Sequence, residues 1–335
     1  MRLGLAPSLA FQMQQARQNS SLRLDLQRVS EEAVTGRHAD TLSATQGREG
    51  DVLLLQKNIA DIDRFREATA LAGGRLDAAL NSLEQIRINT SGFASDTRLT
   101  VLTASENTPG LDAITAQAEG LLSQVTSALN VRSGSRHVFG GNLTGHSPIS
   151  QTDKIRSDIR DTIETSATAT DALTAIDNYF SDTAGGFYNG VYSGSVDAGP
   201  RLHLTQTQSL DPIPSADHPA FKAMMQGLAL ISEADAAASF EDTKALMTEG
   251  ISLIERGSDA ILRLEARMGA SRETTTRVDA ALAAERTLLS DAENNILGRD
   301  IYEAAAELQS LRTQLEASFT ITGRLGSLSL SNFLR

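Results

Sequence analysis

The stretch SRHVFGG, residues 135–141, gathers residue types that could do chemistry. Arg136 and His137 are followed by Phe139 and the glycine pair Gly140–Gly141. Such a set could form a phosphate-cradling loop, because backbone N–H groups beside glycines bind anions, or one corner of a metal site. It could equally be the turn at which a helical segment ends. The stretch neither follows a predicted strand nor opens a predicted helix, so the pattern of a phosphate loop is incomplete.

The rest of the sequence carries no recognisable catalytic or metal-binding pattern. No lysine follows a glycine, so there is no P-loop, and neither an HExxH nor a GxSxG motif occurs. His137 and His146, the nearest pair of histidines, have no third ligand at a suitable spacing. The absence of cysteine excludes disulfides, thiolate metal sites and a cysteine nucleophile. We therefore predict a protein that is not an enzyme and that binds neither a cofactor nor a metal.

Charge and hydropathy restrict the class of partner. The 335-residue chain has a formal charge of −12, which argues against binding to nucleic acid or to an anionic membrane. No apolar run approaches the roughly 20 residues that span a bilayer, and the first residues lack the pattern of a cleavable signal peptide. We expect a cytoplasmic protein, or one exported with its N-terminus uncut. Residues 1–24 and 318–335 contain no acid and are rich in leucine, as matched surfaces for a partner would be.

Hydrophobic periodicity predicts helices over most of the chain. Leu22, Leu26 and Val29 lie on one face of a first helix, and Leu308, Leu311 and Leu315 on one face of the last. Two details are predicted within this pattern. Gly73 and Gly74 should weaken a long second helix, and Gly134 should end the third helix in the left-handed conformation. Leu202 and Leu204 show the alternation of a strand.

The predicted fold class is mainly α: an elongated helical bundle with paired N- and C-terminal coiled-coil arms and a small β-containing insert. Each arm has a single narrow apolar seam, which needs another helix to cover it. The predicted segments are an N-terminal arm (1–42), a first rod half (43–138), a mixed α/β insert (139–220), a second rod half (221–288) and a C-terminal arm (289–335). The predicted assembly interface consists of Leu5, Leu9, Met13, Leu22, Leu26, Leu308, Leu311, Leu315, Phe319, Leu325 and Leu328.

Several segments, in this order, resemble the bacterial flagellin superfamily, and within it the class of hook–filament junction proteins called hook-associated protein 3. VTGRHAD (34–40) resembles the family's TGKR turn, and ALNVRSGSRHVFGGNLTGHSPI (128–149) resembles its VFGG segment. FYNGVYSGS (187–195) resembles an element of the family's insert, and residues 263–334 resemble its C-terminal arm. The family's acidic stretch after TGKR is replaced here by TLSATQG. In this context SRHVFGG becomes the corner where the chain enters the insert.

The resemblance implies a structural subunit of the bacterial flagellum at the junction between hook and filament. It further implies an extracellular location, reached by the flagellum's own type III export without a cleavable signal peptide. The implied partners are the hook-side junction protein, flagellin, further copies of the chain in a ring or tube, and an export chaperone. Two alternatives stay open: a filament flagellin, which would share both arms, and a cytoplasmic coiled-coil scaffold, which should have unbroken heptads and no insert.

Overall fold

The computed structural model describes residues 9–45, 47–106, 110–197 and 199–333; the side chains of residues 9–12, 43 and 325–333 lie outside this description. The described part is dominated by long α-helices and contains two small two-stranded sheets, which confirms the predicted fold class. The chain divides into two compact units. The arm unit comprises Met1–Asp63 and Ala283–Arg335, and the central unit comprises Arg64–Leu282.

The elements follow one another in a simple order. The helices are α1 (Leu9–Thr35), α2 (Thr41–Thr45), α3 (Glu49–Thr90), α4 (Phe93–Thr103), α5 (Leu111–Leu129), α6 (Thr152–Thr165), α7 (Ala169–Ser181), α8 (Pro219–Ser232), α9 (Phe240–Leu297) and α10 (Ile301–Phe333). The strands form two antiparallel hairpins, β1 (Arg132–Ser133) with β2 (Arg136–His137), and β3 (Leu202–His203) with β4 (Ser209–Leu210).

The central unit is built around α8, most of which is buried. Phe221, Met224, Leu228 and Ile231 are all fully buried. A helix buried on most of its surface must be enclosed by neighbours, and α5 and α9 are among those that enclose it. The contact with α9 is close because glycines face each other: a Cβ at Gly227 would come within 2.6 Å of the Gly250 carbonyl oxygen.

Aromatic rings complete the core of the central unit. Phe139, from the VFGG segment, is fully buried and meets the Phe221 ring edge-on, with 5.5 Å between centroids. Phe180 and Phe187 are also fully buried, and their centroids lie 5.3 Å apart. Phe139 therefore anchors the corner at which the chain leaves α5, where sequence reasoning placed it.

The prediction for Gly134 was wrong, whereas the weakening of the helix at Gly73 and Gly74 stays a prediction. Helix α3 runs without interruption through Gly73 and Gly74. Its packing against α9 includes an ion pair of 2.6 Å between Asp77 and Arg272, and Ala72 and Leu76 beside the glycines are buried. Helix α5 ends before Gly134, whose φ of 61° instead forms the turn between β1 and β2.

In the arm unit, α1 and α10 pack against each other as an antiparallel pair, as the sequence predicted for the two arms. A short antiparallel bridge between Arg37 and Gly298 joins the segment after the C-terminus of α1 to the segment before the N-terminus of α10. We call this end of the helix pair the base of the arm pair. There the amide of His38 donates to the Leu297 carbonyl at 2.9 Å, and the amide of Arg299 donates to the Gly36 carbonyl at 2.9 Å. Gly36 ends α1 with a φ of 66°, a left-handed conformation that glycine adopts without strain.

Candidate assembly interface

The contact between α1 and α10 is a narrow seam with the spacing of a coiled coil. On α1, Leu22 and Leu26 are half-buried and Val29 is fully buried. On α10 the facing positions recur at intervals of four and three residues, the repeat that keeps one stripe facing a partner helix. These positions are Ala304, Leu308, Leu311, Leu315, Ser318 and Thr322.

Polar pairs replace aliphatic contacts in the part of the seam nearest the N-terminus of α1. The Ser318 hydroxyl donates to Asn19 Oδ1 at 2.5 Å, and the Thr322 hydroxyl donates to Gln15 Oε1 at 3.1 Å. Polar layers of this kind fix the register of a helix pair but add little apolar burial. The pair is therefore well specified in register and weakly held in this half.

A buried carboxylate ties the base of the arm pair together. Glu32 of α1 is 1% exposed, and its Oε1 accepts the backbone N–H of Ala39 at 3.0 Å and a hydrogen bond from Arg28 at 3.4 Å. Its Oε2 lies 2.9 Å from Nη1 of Arg299, which also contacts Glu307 of α10. Glu32 thus links α1 to both the turn that follows it and the start of α10.

The ion pair at this base is only partly satisfied. Although Oε2 of Glu32 is 2.9 Å from Arg299 Nη1, it accepts no aligned hydrogen bond, and Nε of Arg299 donates none within the described residues. The contact is therefore mainly Coulombic. On the exposed side, burial would lower the pKa of Arg28, but its hydrogen bond to Asp25 and the charge of Glu32 raise it. Arg28 stays charged at any physiological pH.

Large apolar side chains remain uncovered on the outside of the arm pair. On α1, Met13, Leu24 and Val34 are 56%, 65% and 84% exposed, and on α10, Tyr302 and Ile321 are 88% and 52% exposed. Single exposed aliphatic side chains are ordinary on a protein surface. Several large ones on the same pair of helices form an apolar surface of the kind found at interaction sites. This surface is the candidate assembly interface.

The structure places the predicted interface residues in different environments. Leu22, Leu26, Leu308, Leu311 and Leu315 come together in the seam, whereas Met13 is exposed. Phe319 is 44% exposed and lies beside the seam, with the Arg23 guanidinium 5.4 Å from its ring centroid. Leu5 lies outside the described residues, as do the side chains of Leu9, Leu325 and Leu328. Their role in assembly stays a prediction.

Sequence reasoning missed residues of both the seam and the exposed outer surface. Asn19 and Ser318 lie in the seam but are polar, and Leu24 and Tyr302 are apolar but lie off the predicted stripe. Among the described residues, no group of three or more acidic or histidine side chains is placed to hold a metal ion. No helix in the described part of the chain is long and apolar enough to cross a membrane.

Comparison with known proteins gives a sequence match at the C-terminal end. Residues 251–334, which include most of α9 and all of α10, match the family model of the bacterial flagellin C-terminal helical region. Helix α10, one of the two helices of the candidate interface, therefore lies within this match. A search of curated proteins gives no match.

Two solved structures share the fold of most of the chain. FlgL from Bacillus cereus is 15% identical with a TM-score of 0.50, and the match covers 72% of this chain and 99% of that one. A protein from Vibrio parahaemolyticus described as a flagellar hook-associated protein is 10% identical with a TM-score of 0.52, covering 73% and 95%. The shared fold and the C-terminal match confirm the resemblance to the flagellin superfamily that the sequence motifs indicate.

Proposed function

We propose that this protein is a junction subunit of the bacterial flagellum, located outside the cell between hook and filament. In this role it contacts the hook-side junction protein below, flagellin above and copies of itself in a ring or tube. It reaches this position through the flagellar export channel, without a cleavable signal peptide and with the help of an export chaperone. Its work is mechanical, and it requires no catalysis.

The observation that carries the proposal is the incomplete burial of the arm pair. Helices α1 and α10 cover each other along one seam only, and Leu24, Val34 and Tyr302 stay exposed. Apolar area buried between subunits contributes about 25 cal/mol per Å², so covering this surface favours assembly over the free subunit. The match of α10 to a flagellin arm supports the same use of the helix.

A deletion strain tests the proposal. Cells that lack this protein are expected to keep their hooks and to release flagellin monomers into the medium, because flagellin then has no base on which to assemble. Immunogold labelling of complemented cells should place the protein in a single band between hook and filament. Normal filaments on the deletion strain, or labelling along their whole length, would contradict the junction role.

Filament flagellin is the second candidate, because the family model that α9 and α10 match is named for flagellin. A filament subunit must bind copies of itself above and below, so its contacts propagate without limit. A junction subunit has two different neighbours, and its growth stops after one layer. Purified protein added to filament fragments is therefore expected not to elongate them. Long filaments made of this protein alone would favour the flagellin alternative.

A further inference from the structure

The central unit contains a small cavity beside the VFGG segment that the assembly role does not use. It has a volume of about 110 Å³ and lies among α3, the β1–β2 hairpin, the turn that follows it, and residues 199–202. Among the residues that the structure describes, no aspartate or glutamate lines it, although acids outnumber bases in the chain by 42 to 30. The cavity is thus a basic site in an acidic protein.

Three potential cations line this cavity. The side chains of Arg75 and Arg136 form neither an ion pair nor a hydrogen bond with any other described residue. His137 is only 8% exposed, and its Nδ1 donates to the Asn130 carbonyl at 2.8 Å. That bond fixes the ring, and its Nε2 makes no hydrogen bond within the described part of the chain. All three side chains retain unused hydrogen-bonding groups at the cavity.

The backbone around the cavity is held in one conformation. Gly141 has a φ of 61°, and a Cβ there would lie 3.0 Å from the Ser195 carbonyl oxygen. A Cβ at Gly140 would come within 2.6 Å of the Leu143 carbonyl oxygen. Backbone hydrogen bonds hold the turn that carries Asn142 and Thr144 to the cavity wall: the amide of His137 donates to the Thr144 carbonyl at 2.9 Å, and the amide of Leu143 donates to the Gly140 carbonyl at 3.1 Å. A site whose groups are already in place loses little conformational entropy when it binds a ligand.

We propose that this cavity binds a small oxyanion, with Arg75 and Arg136 as its principal ligands. The guanidinium fork matches the oxygens of a phosphate, sulfate or carboxylate group and forms the stronger, charge-assisted hydrogen bonds. A volume of about 110 Å³ has room for one such group. Asn142 and Thr144 add uncharged polar groups to the wall.

Inorganic phosphate is the probe that tests this site. Phosphate is titrated into the isotope-labelled full chain at constant ionic strength while the amide resonances of residues 136–144 and the His137 ring are followed by NMR. The expected result is saturable shifts confined to these residues. Arg136→Gln removes an exposed side chain, so the variant should fold, and it should weaken phosphate binding about tenfold, the effect of losing one charge-assisted hydrogen bond.

Arg132→Gln is the matched control, because Arg132 is also on the hairpin but does not line the cavity; its Nη2 donates to the Ser135 carbonyl at 3.0 Å. This variant removes the same charge and should leave phosphate affinity within about twofold. Shifts that grow linearly with phosphate, or equal weakening by Arg132→Gln and Arg136→Gln, would overturn the site, since both indicate general electrostatic attraction.

The anion is either a dissolved oxyanion or a carboxylate of a neighbouring subunit. One further experiment distinguishes these two sources. The Arg136→Gln variant is expressed in the deletion strain, and its incorporation into flagella is counted. Given saturable phosphate binding, normal incorporation assigns the site to a dissolved anion, and reduced incorporation assigns it to a neighbouring carboxylate. Either result leaves the oxyanion site in place.

Discussion

The core of the central unit and the arm pair represent two ways of burying helices. Helix α8 is buried on most of its surface, and Phe221 and Leu228 are fully buried. Helices α1 and α10 cover only one stripe of each other, and Leu24 and Ile321 remain more than half exposed. The central unit therefore has a complete core within one chain. The arm pair carries apolar surface that its two helices leave exposed, and this difference is why we propose it as the assembly surface.

The largest expected effect concerns the complete core. Phe221→Ala should lower the free energy of unfolding by about 3–5 kcal/mol, because it removes a fully buried ring and leaves a cavity. Phe319→Ala is the matched control in the arm pair, where the ring is 44% exposed, and it should cost less than about 1 kcal/mol. Urea denaturation measures both. Equal losses would mean that the arm pair is as well packed as the central core.

A smaller effect is expected at the base of the arm pair. Glu32→Gln leaves Arg299, which is only 12% exposed, without its buried counter-charge, and should destabilise the arm unit by roughly 3 kcal/mol. Glu31→Gln, at the exposed neighbouring position, should have almost no effect. Hydrogen exchange of α1 and α10 amides reports on this unit directly. Unchanged exchange in Glu32→Gln would show that the carboxylate does not hold the base together.

The smallest expected effect is a pH dependence of the central unit. Burial, followed by the charge of Arg267, lowers the pKa of His218, and its Nδ1 accepts the Ala220 amide at 3.2 Å at the start of α8. Because the folded state resists protonation, the contribution of His218 is complete above a pH of about 6.5, the value in an unfolded chain, and is lost as the pH falls toward the lowered pKa.

His218→Asn provides the control for this prediction, because asparagine keeps an acceptor at the helix cap but does not titrate. The wild-type unfolding midpoint in urea should fall between pH 7 and pH 5 by more than that of the variant. Identical pH profiles for the two proteins would show that His218 does not carry this dependence.

The sequence predicted those features that depend on regularly spaced large aliphatics. Leu308, Leu311 and Leu315 recur at helical spacing, and they lie in the seam as expected. Ser318 and Asn19 could not be found in this way, because small polar residues give no hydrophobic signal even when they face a partner helix. Phe319 was placed in the seam by its spacing of four residues from Leu315, yet the facing position is Ser318.

Other features depended on tertiary structure that a single sequence does not contain. A glutamate is ordinarily read as exposed, so the buried Glu32 was not anticipated. Gly134 resembled a helix cap, but the hairpin that follows α5 uses its left-handed conformation. The segment boundaries predicted at residues 42, 138, 220 and 288 stay predictions. The assembly role of all the predicted interface residues also stays a prediction: Leu5, Leu9, Met13, Leu22, Leu26, Leu308, Leu311, Leu315, Phe319, Leu325 and Leu328.

The central claim is that the outer apolar face of the arm pair drives assembly, and incorporation into flagella tests it most directly. Leu24→Asp combined with Ile321→Asp should leave the unfolding of the purified subunit unchanged, because both side chains are exposed in it. Incorporation should be lost, because two charges would be buried without partners between subunits. Gln27→Asp combined with Thr320→Asp adds the same charges at exposed polar positions of the same helices and should incorporate normally.

The measurement is the number of complete flagella that each double variant restores in the deletion strain. We expect the Gln27 and Thr320 variant to restore the full number of complete flagella and the Leu24 and Ile321 variant to restore none. Full-length filaments supported by the Leu24 and Ile321 variant would contradict the assignment of the arm pair as the assembly surface.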